Sequence, residues 1–133
     1  MCLEGASGAG AELMAAIPDA DLRAHFVWVA MLPSDSEQAA VAASARVAEE
    51  RATHYWDGER HLARHMSPAL GIDSRTEAAV GDVKEFAWDV YLAYLRGDTD
   101  IAAPDFWMHQ LAVPHAPRLD VAEWRRRIEG MLT

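Results

Sequence analysis

The hydrophobic positions of this chain follow two rhythms, and each change of rhythm marks an element. Residues 6–16, "ASGAGAELMAA", carry the small and apolar residues of a helix despite Gly8 and Gly10. Ser7 is placed to cap it, and Ile17-Pro18-Asp19 ends it, because proline turns its predecessor away from helical backbone. "LRAHFVWVAML", Leu22 to Leu32, is nearly continuous in β-branched, aromatic and aliphatic residues. That run predicts a strand buried on both faces, as in a parallel sheet, closed by Pro33 and Ser34. Asp35 to Thr53 predicts a helix, with Ser34 or Asp35 as cap and Glu37 at capping-box spacing from Ser34. Its alanines, with Val41, Ala45 and Ala48 on one stripe, suit close packing on a sheet.

"THYWD", residues 53–57, predicts a short strand. A helix is expected from Gly58 to about Met66, broken by Pro68, with Gly71 as a later stop. Residues 72–83 are polar and read as a loop or one helical turn. From Phe86 to Leu95 the rhythm is two. Trp88, Val90, Leu92 and Tyr94 fall on one side, and Ala87, Asp89, Tyr91, Ala93 and Leu95 on the other. A Gly97-Asp98 turn follows, and Pro104–Val113 is the expected return strand of a hairpin. The last stretch predicts a helix capped by Asp120, with Val121, Trp124, Ile128 and Met131 or Leu132 inward. Strands alternating with helices, ending in an antiparallel hairpin, indicate an α/β domain.

Composition narrows the possibilities. The 133 residues suit one domain with a real core. No apolar run approaches the roughly 18 residues that cross a bilayer. No basic segment leads into an apolar one at the N-terminus, so a cytoplasmic location is expected. The net charge of -9, from 12 basic and 21 acidic residues, argues against nucleic acid or anionic lipid as a partner. Arg125-Arg126-Arg127 is the local exception, and acidic neighbours make it a solvated face. One cysteine, Cys2, excludes an internal disulfide and a Cys-rich zinc site. Phosphate loops, dinucleotide fingerprints, nucleophile elbows and magnesium carboxylate clusters do not occur, and no cofactor is expected.

The order of elements, with "DADLRAHFVWVAMLPSD", "HYWDGERHLARHM" and "AWDVYLAYLRG…APDFWMHQL", resembles a group of bacterial thioredoxin-like proteins over nearly the whole chain. The resemblance implies a thioredoxin-like mixed sheet flanked by helices, with its first strand apparently missing. It also implies that Cys2-Leu3-Glu4-Gly5 stands at the family's Cys-x-x-Cys motif, Cys2 as the attacking thiol and Gly5 in place of the second cysteine. The family's cis-proline position reads Val83-Lys84-Glu85-Phe86, without proline. The absent strand is central in that fold. Its gap would be met by a longer chain, by a second protomer, or by direct pairing of the Leu22–Leu32 and Phe86–Leu95 strands.

Each candidate site has a plainer alternative. Cys2 is a monothiol that attacks disulfides or binds a soft metal, or an idle terminal residue. Asp89, inside a strand pattern, is a proton-transfer carboxylate near a thiol, or a cap or ion-pair partner. Gly5, Trp56, Phe86 and Trp107 are the candidate substrate contacts. For Trp107, in "FWMH", core packing of the hairpin is the alternative. His61 and His65, four apart on a helix, would join Cys2 in a metal or metalloid site, or lie exposed on an amphipathic helix. His54 is near in sequence. The expected activity is monothiol thiol–disulfide exchange with a protein disulfide or a small thiol such as glutathione. The other readings are a non-catalytic binding or homodimerising module and a metal handler.

Overall fold

A computed structural model describes residues 3–72, 87–111 and 113–133. Cys2 and Phe86 lie outside the described residues. The elements are α1 (Leu3–Ala6), a π-helical segment π1 (Ser7–Glu12), α2 (Leu13–Ala16), β1 (Ala24–Val29), α3 (Glu37–Arg46), β2 (Ala52–Asp57), α4 (His61–Ala69), β3 (Val90–Ala93), β4 (Phe106–His109) and α5 (Val121–Leu132). The first three follow one another without a break and act as one N-terminal helix. Among the described residues no helix is long and apolar enough to cross a membrane.

The chain is a mixture of helices and small sheets. β1 pairs with β2 in parallel, from Ala24 against Ala52 to Val29 against Asp57. β3 pairs with β4 antiparallel, from Val90 against His109 to Ala93 against Phe106. The described strands form two separate two-stranded sheets, so β1 and β3 do not pair directly. This departs from the single mixed sheet expected above.

The hairpin is covered on both faces. Ala93 and Met108 pack with Ala9, Leu13, Trp124 and Ile128 beneath the N-terminal helix and α5, with Tyr91 and Phe106 at the margin. Trp88, Val90, Leu92 and Trp107 turn the other way, onto Met66, Leu70 and Ile72. The period-two reading therefore holds from Trp88 to Ala93. The parallel pair contributes a third cluster, in which Trp28 packs on Ala40, Ala43 and Val47 beside Phe26 and Trp56.

Several boundaries move for physical reasons. The first strand is shorter than Leu22–Leu32 and is not buried on both faces, since of its residues only Trp28 is buried. Helix α3 ends at Arg46, and Ser36 caps it by accepting from Ala39 N–H at 3.1 Å. Asp35 is not the cap, because its carboxylate accepts from the Met31 and Leu32 N–H groups, both at 2.9 Å, and closes the turn before the helix. Helix α4 starts later than Gly58 because Asp57 caps it, accepting from His61 and Ala63 N–H. Pro68 lies inside its last turn instead of breaking it. The third strand begins at Val90, after Asp89 adopts a left-handed φ of 47°. Asp120 caps α5 as expected, accepting from Glu123 N–H at 3.0 Å.

Two polar side chains tie distant segments together. Arg51 sends Nη1 to the carbonyls of Ile17 and Ala20, at 3.1 and 3.2 Å, and Nη2 to that of Met14 at 2.7 Å. It thereby gives a second donor to carbonyls at and just past the end of the N-terminal helix, which already accept from the Ile17, Ala20 and Leu22 N–H groups. His109 is wholly buried. Its Nε2 donates to the Ala116 carbonyl at 2.8 Å, and its Nδ1 accepts from Leu111 N–H at 3.0 Å. That pair of bonds fixes one neutral tautomer and closes the loop between β4 and α5.

Candidate functional site

The N-terminal helix reaches the start of the hairpin at Gly5. Gly5 is buried, and a Cβ there would overlap Tyr91 Oη outright while lying 2.6 Å from Gln110 Oε1 and 2.8 Å from Tyr91 Cζ. Tyr91 is the second residue of β3, and Gln110 follows β4. The hydroxyl of Tyr91 donates to Gln110 Oε1 at 2.6 Å, a short and strong bond. The phenol ring makes a T-shaped contact with the Trp124 indole, centroid to centroid 6.3 Å. Gly5 is thus a position where the backbone approaches a fixed polar pair too closely for any side chain.

Asp89 stands beside this point. Its carbonyl accepts from Gln110 N–H at 2.9 Å, so the residue that holds Tyr91 also holds the strand entrance. The left-handed backbone at Asp89 suits aspartate and asparagine better than most residues. Its side chain is half-buried, and burial raises its carboxyl above the usual range. A carboxyl with raised affinity for its proton can take up or give one nearer neutral pH than an exposed aspartate does.

The other expected site residues are elsewhere. Trp107 faces the opposite side of the hairpin from Gly5, its ring 5.8 Å from that of His109 and 5.9 Å from that of His115. It is a packing residue of the α4 face. Trp56 lies on β2 and packs against the Trp28 cluster, as Ala6 and Ala11 of the N-terminal helix do. His61 is exposed, with Nε2 2.7 Å from Glu59 Oε2, and His65 is exposed on the same helix. His54 has its Nδ1 committed to the Trp28 indole N–H at 3.1 Å. Among the described residues, no group of three or more His, Cys, Asp or Glu side chains is arranged to hold a metal. Arg126 and Arg127 both pair with Glu123, and Arg125 with Glu129 at 2.9 Å, which makes the arginine run a solvated face.

Sequence reasoning singled out Gly5 and Asp89 but missed Tyr91 and Gln110. The available signal was the position of Tyr91 on the same strand face as Asp89. Nothing local in the sequence pairs Gln110 with it, because the contact depends on hairpin register. No protein-family model, curated protein or solved structure matches this chain.

Proposed function

We propose that the chain is a thioredoxin-like domain whose Cys2 acts as a monothiol in thiol–disulfide exchange. The supporting observation is the seating of Gly5, three residues after Cys2, against Tyr91 and Gln110 beside half-buried Asp89. A helix start next to the entrance of the antiparallel hairpin is the arrangement that the thioredoxin-like reading requires. In the reaction, the Cys2 thiolate attacks one sulfur of a partner disulfide. The partner S–S bond breaks, the departing sulfur leaves as a thiolate and takes a proton, and Cys2 is held in a mixed disulfide. A second small thiol, such as glutathione, then attacks that mixed disulfide and frees Cys2 with its electron pair. Asp89 serves as the carboxyl that exchanges the proton with the reacting thiols. With net charge -9, the fitting partner disulfide is a neutral or basic one, in a reducing, cytoplasmic setting.

The test is glutathione-dependent reduction of bis(2-hydroxyethyl) disulfide by the purified protein. Cys2→Ser is expected to lower turnover by about 100-fold or more. Asp89→Asn is expected to keep the fold and shift the pH profile. Unchanged turnover in Cys2→Ser would remove the proposal.

A second reading, a non-catalytic binding or homodimerising module, is favoured by the sheets. Each described strand has one strand neighbour, which leaves β1 with one strand edge unpaired by any described strand. A dimer that forms equally well with Cys2→Ser and shows no turnover would select it.

A further inference from the structure

We infer that β1 and β3 frame a slot for one added strand, and that its occupant is an uncharged, apolar, extended segment of another polypeptide. The inference rests on the binding reading above, to which it gives a partner, and not on the thiol chemistry.

The ladders show which backbone groups face the slot. The Ala24 and Ala30 N–H groups donate to the Arg51 and Asp57 carbonyls, so the even positions of β1 serve β2. Backbone bonds of successive strand residues alternate between the two sides. His25, Val27 and Val29 therefore turn their N–H and C=O groups to the opposite edge. In the hairpin, the Asp89 carbonyl accepts from Gln110 N–H, so the odd positions at β3 serve β4. Val90 and Leu92 turn theirs away from it. Among the described residues, no backbone group pairs with these two edges.

The edges are held alongside each other although they do not pair. At one end, Arg96 beyond β3 pairs with Asp21 ahead of β1, and Leu22 packs on the cluster that contains Ala93. At the other end, Arg60 Nε donates to the Ala30 carbonyl at 2.7 Å. One turn further along α4, the Ala63 carbonyl accepts from Ala87 N–H at 2.9 Å. β1 and β3 thus lie side by side in opposite directions. The N-terminal helix joins them across one face, with Ala6 and Ala11 on the Trp28 cluster and Ala9 and Leu13 on the hairpin.

The chemistry of the slot selects its occupant. A strand laid in it runs parallel to one neighbour and antiparallel to the other, and its backbone groups pair alternately with each. Its side chains fall alternately on the face of Phe26 and Tyr91 and on the face of Val27 and Leu92. Both faces are apolar, so the fitting segment is apolar throughout, about five residues long. Neither β1 nor β3 carries an Asp, Glu, Lys or Arg. Arg96 and Asp21 neutralise each other at one mouth. A charged side chain in the slot would find no counter-ion along either strand, so charge matching also calls for a neutral segment, although the whole chain carries -9.

The test is amide hydrogen exchange, read residue by residue by NMR on the full chain. The probe is the capped peptide acetyl-Val-Thr-Val-Thr-Val-Thr-amide. Without it, the Val27, Val29, Val90 and Leu92 amides are expected to exchange about 10-fold or more faster than those of Phe26 and Trp28, which serve β2. The probe is expected to slow the first set by about 10-fold or more and to leave the second unchanged. Two further probes carry N-methyl groups on the odd or on the even amides. Each removes the donors to one neighbour, so both are expected to lose the protection. Tolerance of either methylated probe would place the strand at a single outer edge and overturn the inference. Absence of protection at millimolar probe would overturn it as well and leave the homodimer reading standing. A free protein that sediments as a dimer with the Val27 and Leu92 amides already slow would give the edges to a second copy, which overturns the inference and selects that reading. Slow amides in a free monomer would show that the slot is closed and count against both.

Discussion

The two sheets solve the same packing problem differently. The β3–β4 hairpin is buried on both faces, under the N-terminal helix and α5 on one side and against α4 on the other. Met108, on the first face, is 1% exposed and its neighbours are apolar. The β1–β2 pair packs a single cluster, whose centre is a stack of Phe26, Trp28 and His54 with ring centroids 4.9 to 6.2 Å apart. On the same two strands, His25 and Tyr55 stack in the open, and Tyr55 is 46% exposed. Where a strand is covered twice, shape and apolar area decide its stability. Where it is covered once, aromatic stacking and a titratable ring share the work, and solution conditions reach it.

The largest effect should come from the doubly covered side. Trp124→Ala removes a buried indole, its bond to the Ala9 carbonyl and its ring contact with Phe106 at 5.0 Å. A loss of about 3–5 kcal/mol is expected, read as a fall in the urea midpoint. A loss under about 1 kcal/mol would break the comparison. The next effect joins the two halves. Arg51→Ala removes the charged one of the two donors that each of the Met14, Ile17 and Ala20 carbonyls has, and leaves Glu49, 3.3 Å from Arg51 Nε, without its cation. The expected cost is about 2 kcal/mol, and Arg51→Lys should recover only part of it, because an ammonium cannot span the same carbonyls.

The smallest effect sharpens the contrast. Burial lowers the His54 imidazole below its usual range, whereas the unfolded chain titrates near 6.5. Below that pH the unfolded state binds the extra proton more readily than the native state. Stability therefore falls as pH drops below about 6.5 and is unaffected by this group above it. The effect should be under about 1 kcal/mol, as the ring is only half-buried. It is measured as the difference between the pH–stability curves of wild type and His54→Gln. Superimposable curves would show that His54 does not carry the sensitivity.

What was legible in the sequence follows the same division. The alternation from Trp88 to Ala93 was readable because both faces of β3 are buried, so each side chain had to declare its side. Asp120 was readable as a cap from its chemistry ahead of a helical pattern, although Val121, expected inward, is exposed and the buried face of α5 is Trp124 and Ile128. The run from Leu22 to Leu32 misled, since a continuous apolar stretch predicts two-sided burial. Here part of it packs as an aromatic stack and its ends lie outside the strand. Ser34, Asp35 and Ser36 all have capping chemistry, and only the turn made by Asp35 assigns the cap to Ser36. Arg51, His109, Tyr91 and Gln110 act across sequence distances that local pattern does not encode. Gly5 was named as a candidate position, but what presses against it depends on hairpin register.

The N-terminal helix carries six residues, Ser7–Glu12, wound as a π-helix, with Gly10 lying where a Cβ would overlap Phe26 Cζ. A π-turn holds about one residue more than an α-turn. The two ends of the helix are therefore set out of phase with one another. Removing a single residue from this stretch would restore the ordinary winding and rotate everything before it by about 100°. Gly5 would then turn away from Tyr91 while every residue named in the site was still present. The spacing of the chain between the helix start and Leu13, and not only its chemistry, is part of how this site is specified.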